Sequence, residues 1–181
     1  MSQTTLTEDA PVILDSTCST LKLWPKSATV RIDIRREVKP DVVASACALP
    51  FRLGTFDVIF CDPPHIINKK GLTKPKVGAQ FASWNRRHGY HTENWINCLW
   101  RFGWWTSHKQ WMEFVKATDR EFRTCLKDSG TLEYKIMGGP SKRFATDTDI
   151  AEMRNFEIVK TKNTKSKNRN PVKWLTMKPK P

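Results

Sequence analysis

Four short apolar runs in the first third of the chain constrain its fold most, because three of them stop directly at an aspartate. Val12-Ile13-Leu14 meets Asp15, Val30-Arg31-Ile32 meets Asp33, and Phe56-Asp57-Val58-Ile59-Phe60-Cys61 meets Asp62. The remaining run, Asp41–Ala44, leads through Leu49-Pro50-Phe51. Short, β-branched or apolar segments bounded by polar residues and prolines are the pattern of buried parallel strands. Open α/β sheets gather ligand-binding groups at strand C-termini, which is where these aspartates fall.

The links between the runs are too short for ordinary crossovers. Pro25 interrupts the first, and residues 35–40 must make the second. A parallel crossover normally needs a dozen or more residues and a helix. A parallel sheet built from these runs therefore lacks some of its helices. Either another segment of the chain, a second copy or a partner subunit has to cover the surface left bare.

The second half reads more conventionally. Ser107-His108-Lys109-Gln110 has the form of a capping box. Trp111, Phe114, Val115, Phe122, Cys125 and Leu126 then recur at helical spacing, so a helix is expected to about Leu126, ended by Asp128-Ser129-Gly130. Thr131–Met137 alternates as a strand, 145–153 reads as a short helix, and Phe156–Lys162 and Val172–Lys178 read as two strands flanking a basic loop. Residues 1–10 form a polar, acidic tail that is neither a signal nor a transit peptide. The expected organisation is a flexible tail over 1–10 and a single domain over 11–181, with 66–110 as a basic, Trp-rich insertion.

That insertion carries Lys69, Lys70, Lys74, Arg86 and Arg87, followed by Trp95, Trp100, Trp104 and Trp105. Packed inward, the indoles make a flap over the sheet. Turned outward, they make a surface on which bases stack, worth about 1–3 kcal/mol per base. The whole chain holds 31 Lys and Arg against 18 Asp and Glu, a net charge of +13. Such an excess favours a polyanionic partner, bound through phosphates with counterion release. The five cysteines include no C-x-x-C pair, which argues against a zinc ribbon or a disulfide framework. His88 and His91 make only half of a metal site, so no metal is expected. No apolar run is long enough for a membrane span, and a cytoplasmic location is expected.

The chemistry centres on Asp62-Pro63-Pro64-His65 at the end of the fourth run. Two prolines hold the backbone extended and remove two N–H donors. The Asp62 carboxylate and the Pro63 carbonyl are left as neighbouring acceptors, which suits an amino group with two hydrogens to donate. Cys61 beside them is read as a buried strand cysteine, since no base adjoins it in sequence.

These residues resemble the class I S-adenosylmethionine (AdoMet)-dependent amino-methyltransferases, whose hallmark is [DNS]-P-P-[YFWH] after the fourth strand. The resemblance spans roughly residues 11–178. It implies a Rossmann-like α/β fold with a mostly parallel seven-stranded sheet, an antiparallel last strand and, here, some helices reduced or missing. Val12–Cys18 resembles the first cofactor motif, Ile32-Asp33 the acidic strand end that holds the ribose hydroxyls, and Ser45–Phe51 the adenine-side loop. The resemblance thus implies AdoMet contacts from Asp15, Thr17, Cys18, Asp33, Ser45, Ala46 and Asp62. It assigns the transfer step to Asp62, Pro63, Pro64 and His65, with His65 stacking on or hydrogen-bonding the target base. Nucleic acid would be held by Lys69, Lys70, Lys74, Arg86 and Arg87, and by Lys165, Lys167 and Arg169 of the basic loop.

Two departures from the family pattern stand out. No glycine occurs from 15 to 28, where the cofactor loop usually has several, and Ser45 stands where an aspartate is usual. Two readings follow. In the first, the chain methylates an exocyclic amino group of a DNA or RNA base, with adenine N6 favoured. In the second, it is a noncatalytic nucleic-acid-binding member of the same fold, working as a subunit or with a partner.

Overall fold

The computed structural model describes residues 10–18, 28–64, 67, 105, 107–137, 145–165 and 171–181. They form one seven-stranded sheet. The strands are β1 (Ile13–Asp15), β2 (Val30–Asp33), β3 (Val42–Val43), β4 (Phe56–Cys61), β5 (Leu126–Met137), β6 (Phe156–Lys165) and β7 (Pro171–Pro179), in the spatial order β3-β2-β1-β4-β5-β7-β6. β1 is parallel to both β2 and β4, β2 to β3, and β4 to β5; β7 alone runs antiparallel, inserted between β5 and β6. The expected mostly parallel sheet with an antiparallel last strand is what forms.

Among the described residues the helical content is reduced as well. Between β2 and β3 a single 3-10 turn, Arg36–Val38, replaces a crossover helix and ends at Lys39 in the left-handed region, φ 53°. Between β3 and β4 the described chain has only turns, the first pinned by the Ser45–Ala48 bridge. Gly54 makes the second with φ +62°, a conformation that side-chain-bearing residues rarely adopt.

Among the described residues, one long helix supports the sheet. Helix α1 (His108–Cys125) contains neither proline nor glycine, and Ser107 caps it by accepting the Gln110 N–H at 3.1 Å. Its buried stripe is Trp111, Val115, Thr118, Asp119, Phe122 and Cys125, at the three-to-four spacing read from sequence. That stripe shares one core cluster with Ile59, Cys61, Leu132, Tyr134, Ile136, Leu175 and Met177 of β4, β5 and β7. Each fully buried aliphatic or Phe side chain there contributes about 1.5–3 kcal/mol.

The helix stops one residue earlier than expected, and no turn separates it from the strand. Leu126 is already extended (φ −84°, ψ 138°) and opens β5. Its pairing to β4 jumps from Phe56↔Leu126 to Val58↔Thr131, so Lys127–Gly130 bulge out of the ladder. Gly130 is needed in that bulge: an added Cβ would lie 2.6 Å from the Leu126 Cγ and 2.8 Å from the Lys127 carbonyl oxygen. The expected helix over 145–153 shrinks to α2 (Asp147–Ala151), started by a full capping box between Thr146 and Asp149. Among the described residues no helix is long and apolar enough to cross a membrane.

Candidate active site

Strand order reverses between β1 and β4: the chain builds outward from β1 to β3, then returns to β4 and proceeds the other way. Crevices at such reversals are where open α/β sheets bind ligands. Asp15 ends β1 on one side of this reversal, and Asp62 follows the last residue of β4 on the other. The backbone knits the two ends together. Ser16 donates to the Phe60 carbonyl from its N–H (2.9 Å) and from its hydroxyl (2.8 Å), and Asp62 N–H donates to the Thr17 hydroxyl at 2.7 Å. Cys18 N–H reaches across to the Ile32 carbonyl of β2 at 3.0 Å. The loop after β1 is thereby tied to both neighbouring strands without any glycine.

Three carboxylates meet on this rim, and each is held differently. Asp15 is buried, with the Thr17 N–H donating to its Oδ1 at 3.2 Å. Burial pushes its carboxyl up to about 7; the Thr17 bond and Arg31 oppose the rise, and the carboxylates of Asp62 and Asp33 add to it. Asp33 is also buried, but Arg35 folds back over it. The Arg35 Nε donates to Oδ1 at 2.9 Å, its terminal nitrogen to Oδ2 at 2.8 Å, and its backbone N–H to Oδ1 at 3.0 Å. Asp62 is partly exposed and receives the Lys135 ammonium on Oδ2 at 2.5 Å. Lys135 sits 5.6 Å from the ring centroid of Trp174, a cation–π contact.

The proline step is anchored from α1's side. Trp105 donates its indole N–H to the Pro64 carbonyl at 2.7 Å. Its ring packs against Trp111 and Phe114, with centroids 5.6 and 4.8 Å away. Trp111 is fully buried and donates in turn to Asp149 Oδ2 at 3.2 Å, while His108 Nε2 bonds Asp149 Oδ1 at 2.9 Å. Among the described residues, no donor reaches the Pro63 carbonyl.

No family model and no curated protein matches the sequence. Solved structures do match the fold. A SAM-dependent methyltransferase from Methanosarcina mazei aligns with TM-score 0.51 at 14% identity, covering 95% of this chain and 94% of its own. A protein from Pyrococcus horikoshii OT3 aligns at 0.50 and 14% identity, over 94% of this chain and 82% of its own. The (4+2)-cyclase SpnF aligns at 0.51 and 12%, over 93% and 75%. With the strand order already in place, these likenesses decide the architecture. The chain has the Rossmann-like methyltransferase fold. SpnF, a cyclase, illustrates that the fold alone does not dictate the reaction.

Within the methyltransferase fold, Asp15, Thr17, Cys18, Asp33, Ser45, Ala46, Asp62, Pro63 and Pro64 all lie in described segments on the C-terminal side of β1, β2, β3 and β4. Ser45 spends its hydroxyl on the Cys47 N–H at 3.1 Å, and Ala46 is buried. Burial pushes the Cys18 thiol up to about 11, with Asp15 and Asp33 adding, so it stays neutral. Cys61 is fully buried and its thiol is driven well above the usual range, as suits a core cysteine. His65, Lys69, Lys70, Lys74, Arg86, Arg87, Lys167 and Arg169 lie outside the described residues, as does the Lys165 side chain.

Lys135, Arg35 and the His108–Asp149 pair were not singled out from sequence, and Trp105 was named only as one of the clustered indoles, not as a partner of Pro64. Lys135 had a signal: Thr131, Glu133 and Lys135 alternate with the buried Leu132, Tyr134 and Ile136, which puts Lys135 on the opposite face near the strand's C-terminal end. For the others the partner is far away in sequence, or, for Arg35, the rotamer decides.

Proposed function

We propose that this chain is an AdoMet-dependent methyltransferase acting on an exocyclic amino group of a nucleic-acid base, adenine N6 being the favoured acceptor. The observation that carries the reading is the convergence of Asp15, Asp33 and Asp62 on one rim of a chain whose net charge is +13. An acidic pocket in a basic protein suits a cationic small molecule within and a polyanion around it. A carboxyl raised to about 7 by burial and by like charges is one that a bound cation would stabilise in its ionised form. AdoMet, with its ammonium and sulfonium groups, has that chemistry.

The residues present fit the cofactor, with a modified loop. Asp15 takes the ammonium, Asp33 the ribose hydroxyls, and the Ser45–Ala46 turn the adenine side. Thr17 and Ser16 perform by side-chain bonding to β4 the loop closure for which glycines are usual. When bound, AdoMet supplies an electrophilic methyl group on sulfur. Asp62 Oδ and the Pro63 carbonyl accept the two hydrogens of the target amine and hold its nitrogen in line with that methyl. Asp62 would take the proton that the amine loses on methylation and pass it to water, the methyl donor leaving as S-adenosylhomocysteine. Lys135 offsets the carboxylate's charge and fixes one of its oxygens.

Calorimetric titration with AdoMet and with S-adenosylhomocysteine tests this reading. Saturable binding near the micromolar range (about −8 kcal/mol), lost in Asp15→Ala, is expected, followed by methyl transfer to oligonucleotides that Asp62→Ala abolishes. Absent cofactor binding, even with oligonucleotide present, would transfer the argument to a noncatalytic nucleic-acid-binding protein of this fold.

A further inference from the structure

Asp62-Pro63-Pro64 has few ways to be held in place. Each proline fixes its own φ near about −65°, supplies no N–H, and keeps the residue before it extended. Asp62 and Pro63 both precede a proline, so few torsions along this step stay free. The backbone groups left for anchoring are the Asp62 N–H and the carbonyls. Asp62 N–H donates to the Thr17 hydroxyl at 2.7 Å, which ties the start of the step to the loop after β1. The Pro64 carbonyl accepts the Trp105 indole N–H at 2.7 Å, which ties its end. With both ends held and the torsions between them restricted, the direction of the Pro63 carbonyl is set as well.

Trp105 is itself braced for this. Its backbone forms a parallel bridge with Ile67, a buried core residue shortly beyond Pro64, so the chain returns beside the step it left. Its ring packs on Trp111 and Phe114 of α1. Trp111 is fixed in turn by its bond to Asp149. An indole N–H can only donate, and it lies in the plane of a rigid ring. Packed against two other rings, that plane aims its donor at the Pro64 carbonyl with little freedom.

We propose that Trp105 is a positioning residue for methyl transfer: its indole N–H, through the Pro64 carbonyl, aligns the Asp62 carboxylate and the Pro63 carbonyl with the target amine. The role rests on the methyltransferase reading. Trp105 acts through the backbone and not on the reacting atoms. Loss of its N–H should therefore slow the transfer step without weakening the binding of either substrate, because misplacement of acceptors costs rate before it costs affinity.

Two replacements in the full chain isolate the N–H. Trp105→Phe keeps an aromatic ring against Trp111 and Phe114. Benzothienylalanine at the same position keeps the whole indole shape and puts sulfur where the N–H was. With AdoMet and random-sequence single-stranded oligonucleotides, both should lower kcat about tenfold or more, with the oligonucleotide KM and the AdoMet Kd unchanged. In heteronuclear NMR spectra of the unaltered chain, the Trp105 indole signal, assigned by its loss in Trp105→Phe, should exchange with solvent slowly. An undiminished kcat in the benzothienylalanine protein overturns the proposal, as does an indole proton that exchanges freely. So does a loss confined to Trp105→Phe, which would assign the effect to the ring and not to its N–H. If the unaltered chain neither binds AdoMet nor transfers methyl groups, the methyltransferase reading falls and takes this role with it. If it does both and the variants match it, this role falls alone.

Discussion

The Lys135 ammonium lies 2.5 Å from Oδ2 of Asp62, joining the middle of the sheet's outer face to the carboxylate that follows β4. Both side chains are partly exposed, so the pair adds about 1 kcal/mol or less to stability. Its consequence is positional: the pair fixes one oxygen of the Asp62 carboxylate. Lys135→Met is expected to slow methyl transfer about tenfold or more by loosening that orientation, with the AdoMet Kd unchanged and the urea midpoint nearly so. Lys135→Arg should recover most of the rate. Single-turnover transfer measured beside calorimetry separates the two, and an undiminished rate in Lys135→Met would remove Lys135 from the site.

Asp15 should leave a pH signature in stability. Its carboxyl sits near 7 in the folded chain against an ordinary value of 3.8. The folded state therefore binds more protons between these values, and stability falls as pH rises through that window, by up to about 1.4 kcal/mol per unit from this group. Asp15→Asn, which still offers an acceptor to the Thr17 N–H, should lose that slope and be the more stable protein at pH 8. AdoMet binding should weaken in the same variant. Urea unfolding of both proteins across pH 5 to 8 reads the difference; parallel curves would contradict the buried-acid account.

Arg35 competes for Asp33. Its three bonds occupy most of the roughly four acceptor sites on a carboxylate. Two of the three come from the side chain, so Arg35→Ala should tighten AdoMet binding several-fold by freeing acceptors for the ribose hydroxyls. Calorimetry measures it; a weaker complex would mean that Arg35 itself contacts the cofactor.

Asp149 serves three partners at once: it completes the Thr146 cap of α2, accepts from His108, and satisfies the buried Trp111 indole. Asp149→Ala removes a cap worth about 1 kcal/mol and strands a buried donor at about 1–3 kcal/mol. A loss of several kcal/mol is expected in urea unfolding. Burial opposes ionisation of Asp149, but the bonds from His108 and Thr146 prevail and hold its carboxyl below 3.8. This contribution is therefore intact above pH 4 and disappears only as pH falls through the lowered value.

Gly130→Ala tests the helix-to-strand junction. The new methyl would sit 2.6 Å from the Leu126 side chain and 2.8 Å from a backbone oxygen. Both must move, and a destabilisation of about 1–3 kcal/mol is expected. A neutral substitution would show that the bulge rearranges freely.

Periodicity made much of this fold legible. Val30–Ile32, Phe56–Cys61 and the Trp111-Val115-Phe122 stripe each report their environment every two or every three to four residues, and the elements formed where those signals lie. The α1–β5 boundary was less legible. Leu126 is apolar at the spacing of either element, and only its pairing with Phe56 makes it a strand residue. The extent of α2 was likewise set by its Thr146–Asp149 box rather than by apolar spacing.

The sequence by itself determined which residues end strands in carboxylates, where two prolines follow one of them, and that the crossover from β2 to β3 is too short for a helix. These are consequences of chain order and of local sterics, which neighbouring residues settle among themselves. Only the tertiary structure decided the partners. Lys135 faces Asp62 across 73 positions, Trp105 reaches Pro64 across 41, and Trp111 reaches Asp149 across 38. Such pairings depend on strand order and register, which are fixed when the apolar faces of distant segments close on one core.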